Sequence, residues 1–273
     1  MRTIDGLFEV ADGYTAPRPH SGDMQNRFYQ RIVRAAKRYF RFAGTKATVH
    51  GLEHVPLDGG AMLAINHTGY LDFMLAGIGP YLRGERLVRF MAKKEVFGIP
   101  VLRWLLRNMG HVPVDRSAGA GAIDAAVAAL REGAIVGIFP EGTISRSFEI
   151  ADFKTGAVRI ARQAGVPLVP CVIWGSQRLW TKDQPKRLGR SGIPVIIRYG
   201  EPVAVDGTVE EATGRLKAAM EAMLETTRAE YETRFGPFEP GEPWMPASLG
   251  GSAPTLEEAA EIRRKEREAK KGK

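Results

Sequence analysis

The sequence has a single cysteine, no long apolar run and no apolar block near its start, so it lacks the features of disulfides, membrane-spanning helices and signal peptides, respectively. Its 273 residues include one cysteine, Cys171, inside the apolar run 166–174, so no internal disulfide can form and a reducing compartment is indicated. No stretch approaches the roughly 20 uncharged apolar residues that a membrane-spanning helix requires. Residues 1–13 carry acidic side chains and lack the apolar block of a signal peptide. We therefore expect a cytoplasmic protein whose contact with any membrane is peripheral or monotopic.

Two kinds of catalytic centre are also missing from the sequence. The Gly-x-Ser-x-Gly elbow of the α/β hydrolases does not occur. The histidines lack the close spacing of metal ligands; they are His20, His50, His54, His67 and His111. A hydrolase or a metal enzyme is therefore disfavoured, and we predict no metal site.

The chain, which is 44% hydrophobic, alternates short β-rich runs with helical segments. The predicted strands are 47–52, 61–67, 89–93, 111–116, 135–139, 168–174 and 194–199. The predicted helices between and after them are 72–82, 101–109, 123–131, 155–164 and 209–235. This alternation predicts an α/β fold: a single domain with a central mixed, largely parallel sheet flanked by helices, plus an N-terminal amphipathic helix.

Composition divides the chain into four parts. Residues 1–23, rich in Gly, Pro and small polar residues, are predicted to form a flexible arm. Residues 24–44 form a basic amphipathic helix, and 45–235 the main domain. Residues 236–273 form a tail that is first Pro/Gly-rich and then nearly all charged, the latter part a solvated helix.

The formal net charge of +8 arises largely in the basic, aromatic segment 24–46, which has no acidic residue. Anionic lipid and nucleic acid would both suit this charge, but no nucleic-acid module accompanies it, so we predict a membrane partner and no nucleic acid. The predicted membrane contacts are Phe28, Arg31, Ile32, Arg34, Lys37 and Arg38. The alternative is that the apolar side of this helix packs on the sheet. For a second basic helix, 101–107, core packing and membrane contact are both open.

The segment 66–72, Asn-His-Thr-Gly-Tyr-Leu-Asp, lies where an apolar strand ends and a helix begins. Such strand ends are where α/β folds place their chemistry. His67 can accept a proton near neutral pH, and Asp72 within one helical turn can hold the ring in the required tautomer. The two residues form a candidate base and orienting group; alternatively, they cap the helix.

Two further motifs follow strands. Phe-Pro-Glu-Gly-Thr-x-Ser at 139–145 offers a glycine for close backbone approach, with Glu141 and Thr143 as hydrogen-bonding groups for a polyol or phosphate. The segment 110–116 ends in Arg116, whose planar guanidinium suits a phosphate monoester. Taken singly, each has an ordinary structural interpretation, as a turn or as a surface charge.

In combination, the order and spacing of these motifs resemble those of the bacterial 1-acylglycerol-3-phosphate acyltransferases, within the glycerophospholipid acyltransferase superfamily. The shared elements are Asn-His-x4-Asp, Gly-x5-Arg, Phe-Pro-Glu-Gly-Thr-x-Ser and the Val-Pro of 166–167, and they cover roughly residues 45–205. The resemblance implies that 45–235 is an acyltransferase domain at the cytoplasmic face of the cell membrane. It would move a fatty acyl group from acyl-coenzyme A or acyl carrier protein to a lysophospholipid hydroxyl, without a cofactor.

The resemblance also implies roles for individual residues. His67 would be the general base and Asp72 its orienting group, and the backbone N–H groups around 68–70 are candidate donors to an oxyanion. The predicted acceptor-binding residues are Arg116, Glu141, Gly142 and Thr143, with Lys93 and Lys154 in adjoining segments. Many family members have arginine where this chain has Ile144, so one contact to the phosphate is missing here, and Arg146 is a candidate to provide it instead. Glycerol-3-phosphate, a glycolipid or an aminolipid remain alternative acceptors.

Overall fold

The computed structural model describes residues 1–93, 98–114 and 120–271. Over these residues the chain forms one mixed sheet with helices on both faces, which confirms the predicted α/β class. The strands are β1 (Arg2–Ile4), β2 (Phe8–Val10), β3 (Ala47–His50), β4 (Ala61–Ile65), β5 (Val88–Lys93), β6 (Val112–Val114), β7 (Ile135–Ile138), β8 (Leu168–Trp174) and β9 (Val195–Tyr199). The helices are α1 (Ser21–Met24), α2 (Arg27–Ala43), α3 (Asp72–Leu75), α4 (Ile78–Leu82), α5 (Pro100–Asn108), α6 (Ala120–Arg131), α7 (Gly156–Ala164), α8 (Val209–Phe235) and α9 (Leu256–Lys271).

The order of the strands is β1-β2-β3-β9-β8-β4-β7-β5-β6. β1 pairs antiparallel with β2, and β8 with β9, while the remaining pairs are parallel. Because β4 lies parallel to both β7 and β8, the loops that follow these three strands meet at one edge of the sheet. Those loops contain His67, Glu141 and Ser176, respectively.

The two faces of the central strands are both buried. On β4, Leu63 and Ile65 join the core cluster that includes α3 and α4, whereas Met62 and Ala64 join the cluster that includes α6, α7 and α8. This follows from the two-residue period of a strand and explains why β4 and β8 are continuous apolar runs. Polar side chains can therefore be accommodated only where these strands end.

The single helix predicted over 72–82 is two short helices, α3 and α4, separated at Ala76 and Gly77. Pro80 has no N–H to donate, and a new helix that begins at Ile78 places it in the first turn, where no donor is needed. The Tyr199 hydroxyl accepts the Gly79 N–H and donates to the Ala76 carbonyl, at 3.0 and 2.9 Å. This buried side chain thus bonds backbone groups on both sides of the break.

The N-terminal segment differs from the predicted flexible arm. β1 and β2 form a hairpin whose second strand pairs parallel with β3, and Leu7, Phe8 and Val10 are buried in the core. Each strand has only three residues, which is too short for a periodic pattern to stand out from the sequence. The segment 1–23 therefore contributes strands and the short helix α1.

The C-terminal segment also packs on the main domain. Trp244 is buried, with its ring against those of Tyr231 and Phe238, and the Arg178 guanidinium lies 4.4 Å from the Trp244 ring centre. The charged end forms α9, in line with the helical prediction for this region. The tail predicted over 236–273 thus covers part of α8.

Helix α2 uses its apolar side within the protein. The Phe28 ring meets the Trp104 ring edge-on at 5.0 Å, and Ile32 packs on the cluster around Tyr29. Lys37 is held by Asp5, with 2.6 Å between Nζ and Oδ2. Phe28, Ile32 and Lys37, which were predicted to contact lipid, thus have partners within the protein and are half-buried. The remaining predicted contacts, Arg31, Arg34 and Arg38, are exposed.

The packing of the N-terminal hairpin gives a testable expectation. Phe8→Ala removes a buried ring and is expected to lower the free energy of unfolding by roughly 3 kcal/mol, measured by urea denaturation. Phe42→Ala is the matched control, since that ring is 55% exposed. A flexible arm would instead leave both variants as stable as the wild type.

Candidate active site

His67 and Asp72 are in direct contact at the carboxyl end of β4. His67 Nδ1 lies 3.0 Å from Asp72 Oδ2, and the ring retains 20% side-chain exposure while Asp72 is fully buried. Since an ionised carboxylate only accepts, Nδ1 carries the proton and Nε2 is left as the acceptor nitrogen. The Phe139 ring stacks on the imidazole, with 4.0 Å between centroids. The predicted pair is thus brought together, with the ring orientation constrained on one face.

The Asp72 carboxylate accepts four hydrogen bonds. Besides His67, the backbone N–H groups of Thr68 and Gly69 donate to Oδ2 at 2.7 and 2.8 Å, and the Ser176 hydroxyl donates to Oδ1. The Tyr70 N–H donates to the carbonyl of Trp180. The N–H groups of 68–70, predicted as candidate oxyanion donors, are therefore already engaged. Those of Thr68 and Gly69 are oriented by the carboxylate that they solvate.

Two positioning residues were not assigned from the sequence. The Asn66 side chain bonds both backbone groups of Ile173, accepting its N–H at 2.7 Å and donating to its carbonyl at 3.1 Å. Ser176 follows Gly175, whose φ of 100° and close approach to the Pro194 carbonyl exclude a Cβ. Asn66 lies beside His67 in the motif, which is a usable signal, whereas Ser176 is distant in sequence and carries none.

Glu141 supports the loop that contains His67. Its carboxylate oxygens accept the backbone N–H groups of His67, at 2.9 Å, and Ala151, at 3.2 Å, and its side chain is buried. Burial raises the pKa of Glu141 to about 8, against the opposing effect of these N–H groups. The Glu141 side chain therefore positions the His67 loop, and its predicted contact with the acceptor stays a prediction.

The loop after β7 bends sharply beside His67. Gly142 adopts a φ of 70° and its N–H donates to Phe139, while the Ser145 N–H donates to the His67 carbonyl at 2.7 Å. The half-buried Thr143 hydroxyl accepts a bond from Lys182 Nζ at 2.7 Å. The structure thus brings Gly142 and Thr143 next to the His67 loop, and it adds Lys182, which the sequence did not indicate.

Ile144, where many family members have arginine, and the remaining predicted acceptor-binding residues lie in different surroundings. Ile144 is buried, and Arg146 is bound by Asp183 and Glu266, at 2.5 and 2.6 Å. Lys154 is exposed at the rim of the same loop region. Lys93 is the last residue of β5, but its side chain, like the whole of Arg116, lies outside the described residues.

His111 is a strand-end residue that stays neutral. Its Nδ1 accepts the N–H of Phe90 at 2.9 Å, and burial lowers the pKa of the imidazole to about 4. Within the residues that the structure describes, no group of His, Cys, Asp or Glu is arranged to hold a metal ion.

Comparison with known proteins identifies the family of this chain. A family model described as Acyltransferase matches residues 46–174. The 1-acyl-sn-glycerol-3-phosphate acyltransferase of Bacillus subtilis is 35% identical over 179 residues, which are 64% of this chain and 83% of that protein. The chain belongs to the 1-acylglycerol-3-phosphate acyltransferase family. The resemblance inferred from the motifs is confirmed, and the protein is an acyltransferase of this type.

More distant relatives share less of their length with this acyltransferase. The chloroplastic 1-acyl-sn-glycerol-3-phosphate acyltransferase BAT2 of Brassica napus is 31% identical over 64% of this chain but 51% of its own. The chain thus spans about half the length of that relative. The crystal structure of the 1-acyl-sn-glycerophosphate acyltransferase PlsC from Thermotoga maritima superposes with a TM-score of 0.62 at 24% identity, covering 80% of this chain and 86% of the other. That likeness confirms the fold.

The raised pKa of Glu141 makes the stability of this acyltransferase depend on pH. Because the folded-state value of about 8 exceeds the ordinary 4.5, the folded state binds the extra proton between these limits. The free energy of unfolding should therefore fall as pH rises from 5 to 8, by at most about 1.4 kcal/mol per pH unit. The Glu141→Gln variant cannot titrate at this position. Measured by urea denaturation, the free energy of unfolding of the wild type should therefore fall relative to that of the variant up to pH 8, and the difference should be constant above pH 8. A constant difference would contradict the buried proton.

Proposed function

We propose that this chain transfers a fatty acyl group from an acyl thioester to the free hydroxyl of 1-acylglycerol-3-phosphate, giving phosphatidate. The thioester is that of coenzyme A or acyl carrier protein. The observation that carries the mechanism is the His67–Asp72 hydrogen bond, which leaves Nε2 as an acceptor on a partly exposed ring. The names of the relatives support the acceptor, since they are 1-acyl-sn-glycerol-3-phosphate acyltransferases.

In the proposed reaction, Nε2 of His67 takes the proton of the acceptor hydroxyl as its oxygen attacks the thioester carbonyl. The imidazolium that forms is stabilised by the Asp72 carboxylate, which also prevents the ring from turning. Collapse of the tetrahedral intermediate breaks the carbon–sulfur bond, and His67 returns the proton to the departing thiolate. The products are an ester and a free thiol.

This direct transfer needs no acyl-enzyme. Among the described residues, no serine, threonine or cysteine side chain is hydrogen-bonded to the His67 ring. The nearby Ser176 hydroxyl donates to Asp72, and Cys171 is fully buried, with burial raising the pKa of its thiol far above its usual range. A base activating the substrate hydroxyl is therefore the chemistry that the side chains support.

The test of this mechanism follows thiol release from oleoyl-coenzyme A or an acyl carrier protein thioester with lysophosphatidate, with phosphatidate identified by mass spectrometry. His67→Ala and Asp72→Asn should each lower kcat by at least about a hundredfold, because a positioned general base contributes that much. His54→Ala is the matched control, since this ring lies beside the surface carboxylate of Glu53 and takes no part in the His67–Asp72 contact. Full activity in His67→Ala, with phosphatidate still formed, would refute the role of His67.

The proposed membrane-facing surface is on α5 and not on the apolar side of α2. Val101 and Trp104 are 73% and 58% exposed, and Ile99 is exposed beside them. Arg103 and Arg107 on the same helix are exposed and basic. A helix with protruding apolar side chains between arginines suits an anionic bilayer surface.

The position of α5 supports this assignment. It follows β5, which is parallel to β7, so the strand before the helix ends at the sheet edge where His67 lies. Exposed aromatic side chains, Tyr70 and Phe73, occupy the same edge. Among the described helices, none has the length and apolar character required to cross a bilayer. We place the active edge against the cytoplasmic face of the membrane.

Flotation with vesicles that contain phosphatidylglycerol tests this surface. A Val101→Glu, Trp104→Glu variant should bind at least about tenfold more weakly, since partial burial of even one of these apolar side chains contributes on the order of 1.4 kcal/mol. Leu249→Glu is the control, because that side chain is also about half exposed, at 51%, but lies in the C-terminal segment. Equal binding of all three proteins would exclude α5 as the contact.

A further inference from the structure

The hydroxyl of Ser176 is the one described donor to Asp72 that comes from outside the loop between β4 and α3. Ser176 is fully buried, and its Oγ also lies 3.1 Å from the Thr68 hydroxyl. Because a hydroxyl has a single proton to donate, Ser176 gives its proton to the carboxylate and accepts that of Thr68. The bond to Asp72 therefore requires the backbone of residue 176 to be held in one place.

The backbone just before Ser176 packs against helix α8. Gly175 has a φ of 100°, and a Cβ added there would lie 2.5 Å from the Pro194 carbonyl oxygen and 3.0 Å from Cε2 of Tyr231. Tyr231 is a buried residue of α8, and its hydroxyl donates to the same Pro194 carbonyl at 3.0 Å. The Tyr231 ring thus occupies the space that a side chain at position 175 would need, and the turn containing Ser176 lies directly on it.

Arg178 connects this turn to α8 and to the segment that follows α8. Its Nη1 donates to the Tyr231 hydroxyl at 2.8 Å. Its guanidinium carbon lies 5.0 and 4.4 Å from the ring centres of Phe238 and Trp244. The face of an aromatic ring has a negative electrostatic potential and attracts a guanidinium group. Arg178 is therefore held by one hydrogen bond and by the aromatic rings of the C-terminal segment.

Ser176 and Arg178 belong to the same tight turn. Residues Ser176–Arg178 form a short 3₁₀-helix. The Arg178 N–H donates to the Gly175 carbonyl at 3.2 Å, and the Leu179 N–H donates to the Ser176 carbonyl at 3.0 Å. Hydrogen bonds weaken steeply when their distance and angle leave the preferred range. Because these bonds link the ends of the turn, a displacement of Arg178 also displaces the Ser176 hydroxyl from Asp72.

We propose that Arg178 is a positioning residue for acyl transfer, because it fixes the turn from which Ser176 donates to Asp72. The C-terminal segment, through Phe238 and Trp244, would then contribute to the active site without contacting either substrate. This proposal rests on the proposed function, in which Asp72 orients the base.

A double-mutant cycle separates this role from a general contribution to stability. Arg178→Gln should lower kcat roughly tenfold, since a hydrogen bond to a charged group contributes about that factor. KM for each substrate should stay within about twofold, because Arg178 contacts neither substrate. Ser176→Ala should have a similar effect, and the double variant should be no slower than Ser176→Ala, since both changes remove the same bond to Asp72. Losses that multiply, to about a hundredfold, would overturn the proposal.

Two further variants are the controls for the cycle. Arg178→Lys keeps a cation beside the rings and should recover part of the lost kcat. Arg190→Gln removes an arginine that also lies over a ring, with its guanidinium carbon 5.2 Å from the centre of the exposed Phe42 ring. It should have the kcat of the wild type. Wild-type kcat in Arg178→Gln would likewise overturn the proposal.

Nitrogen-15 NMR of the His67 ring tests the positioning without catalysis. When the Ser176 donor is lost, Asp72 interacts more strongly with the Nδ1–H group, so Ser176→Ala and Arg178→Gln should shift the ring resonances in the same direction. The resonances are assigned by their absence in His67→Ala. If Arg178→Gln does not fold, Trp244→Leu, which removes the ring nearest the guanidinium, should produce the same shift.

The two measurements have distinct consequences. A variant at Arg178 that lowers the free energy of unfolding in urea but leaves the His67 resonances as in the wild type would show a purely structural role and overturn the proposal. If the wild type forms no phosphatidate with either acyl donor, the proposed function fails, while the NMR shifts still decide whether Arg178 positions Ser176.

Discussion

The burial of the Asp72 carboxylate is the constraint on which the active edge depends. An ionised carboxylate removed from water is unfavourable by several kcal/mol unless hydrogen-bond donors replace the solvent. Its donors come from the His67 ring, the backbone of Thr68 and Gly69, and the Ser176 hydroxyl. These groups follow β4 and β8, so the two strands must be neighbours in one register. The Asn66 side chain, bonded to both backbone groups of Ile173, helps to hold that register.

A second buried carboxylate, Glu141, performs a related task from the other neighbour of β4. It accepts two backbone N–H groups, and burial raises its pKa to about 8 because these donors offset only part of the lost hydration. At neutral pH the protonated form therefore predominates, and the region beside His67 carries less negative charge than two carboxylates would suggest. The two buried carboxyl groups thus differ in charge: Asp72, after β4, has the four donors that an ionised carboxylate needs, whereas Glu141, after β7, is mainly protonated.

The sequence predicted the parts of this arrangement that are local. The central strands were recognisable because burial on both faces makes them uninterrupted apolar runs, and His67 and Asp72 because they occupy one short motif. Ser176 and Lys182 could not be identified, because their roles depend on contacts with residues distant in sequence. The helical periodicity of α2 also could not show whether its apolar side contacts lipid or the protein core, because both environments favour apolar residues at the same positions.

The ends of the sheet have a consequence for how the protein behaves at high concentration. Among the described strands, β1 and β6 occupy the two edges, each is three residues long, and Pro113 in β6 has no N–H to donate. Long, flat edges are where sheets from separate molecules join into aggregates, and short or proline-containing edges resist this. The N-terminal hairpin pairs with β3, so the sheet ends in the three-residue strand β1 and not in the longer strand β3. A shorter edge strand offers fewer free backbone groups to a strand from another molecule. Short edge strands of this kind therefore disfavour the addition of a strand from a second molecule.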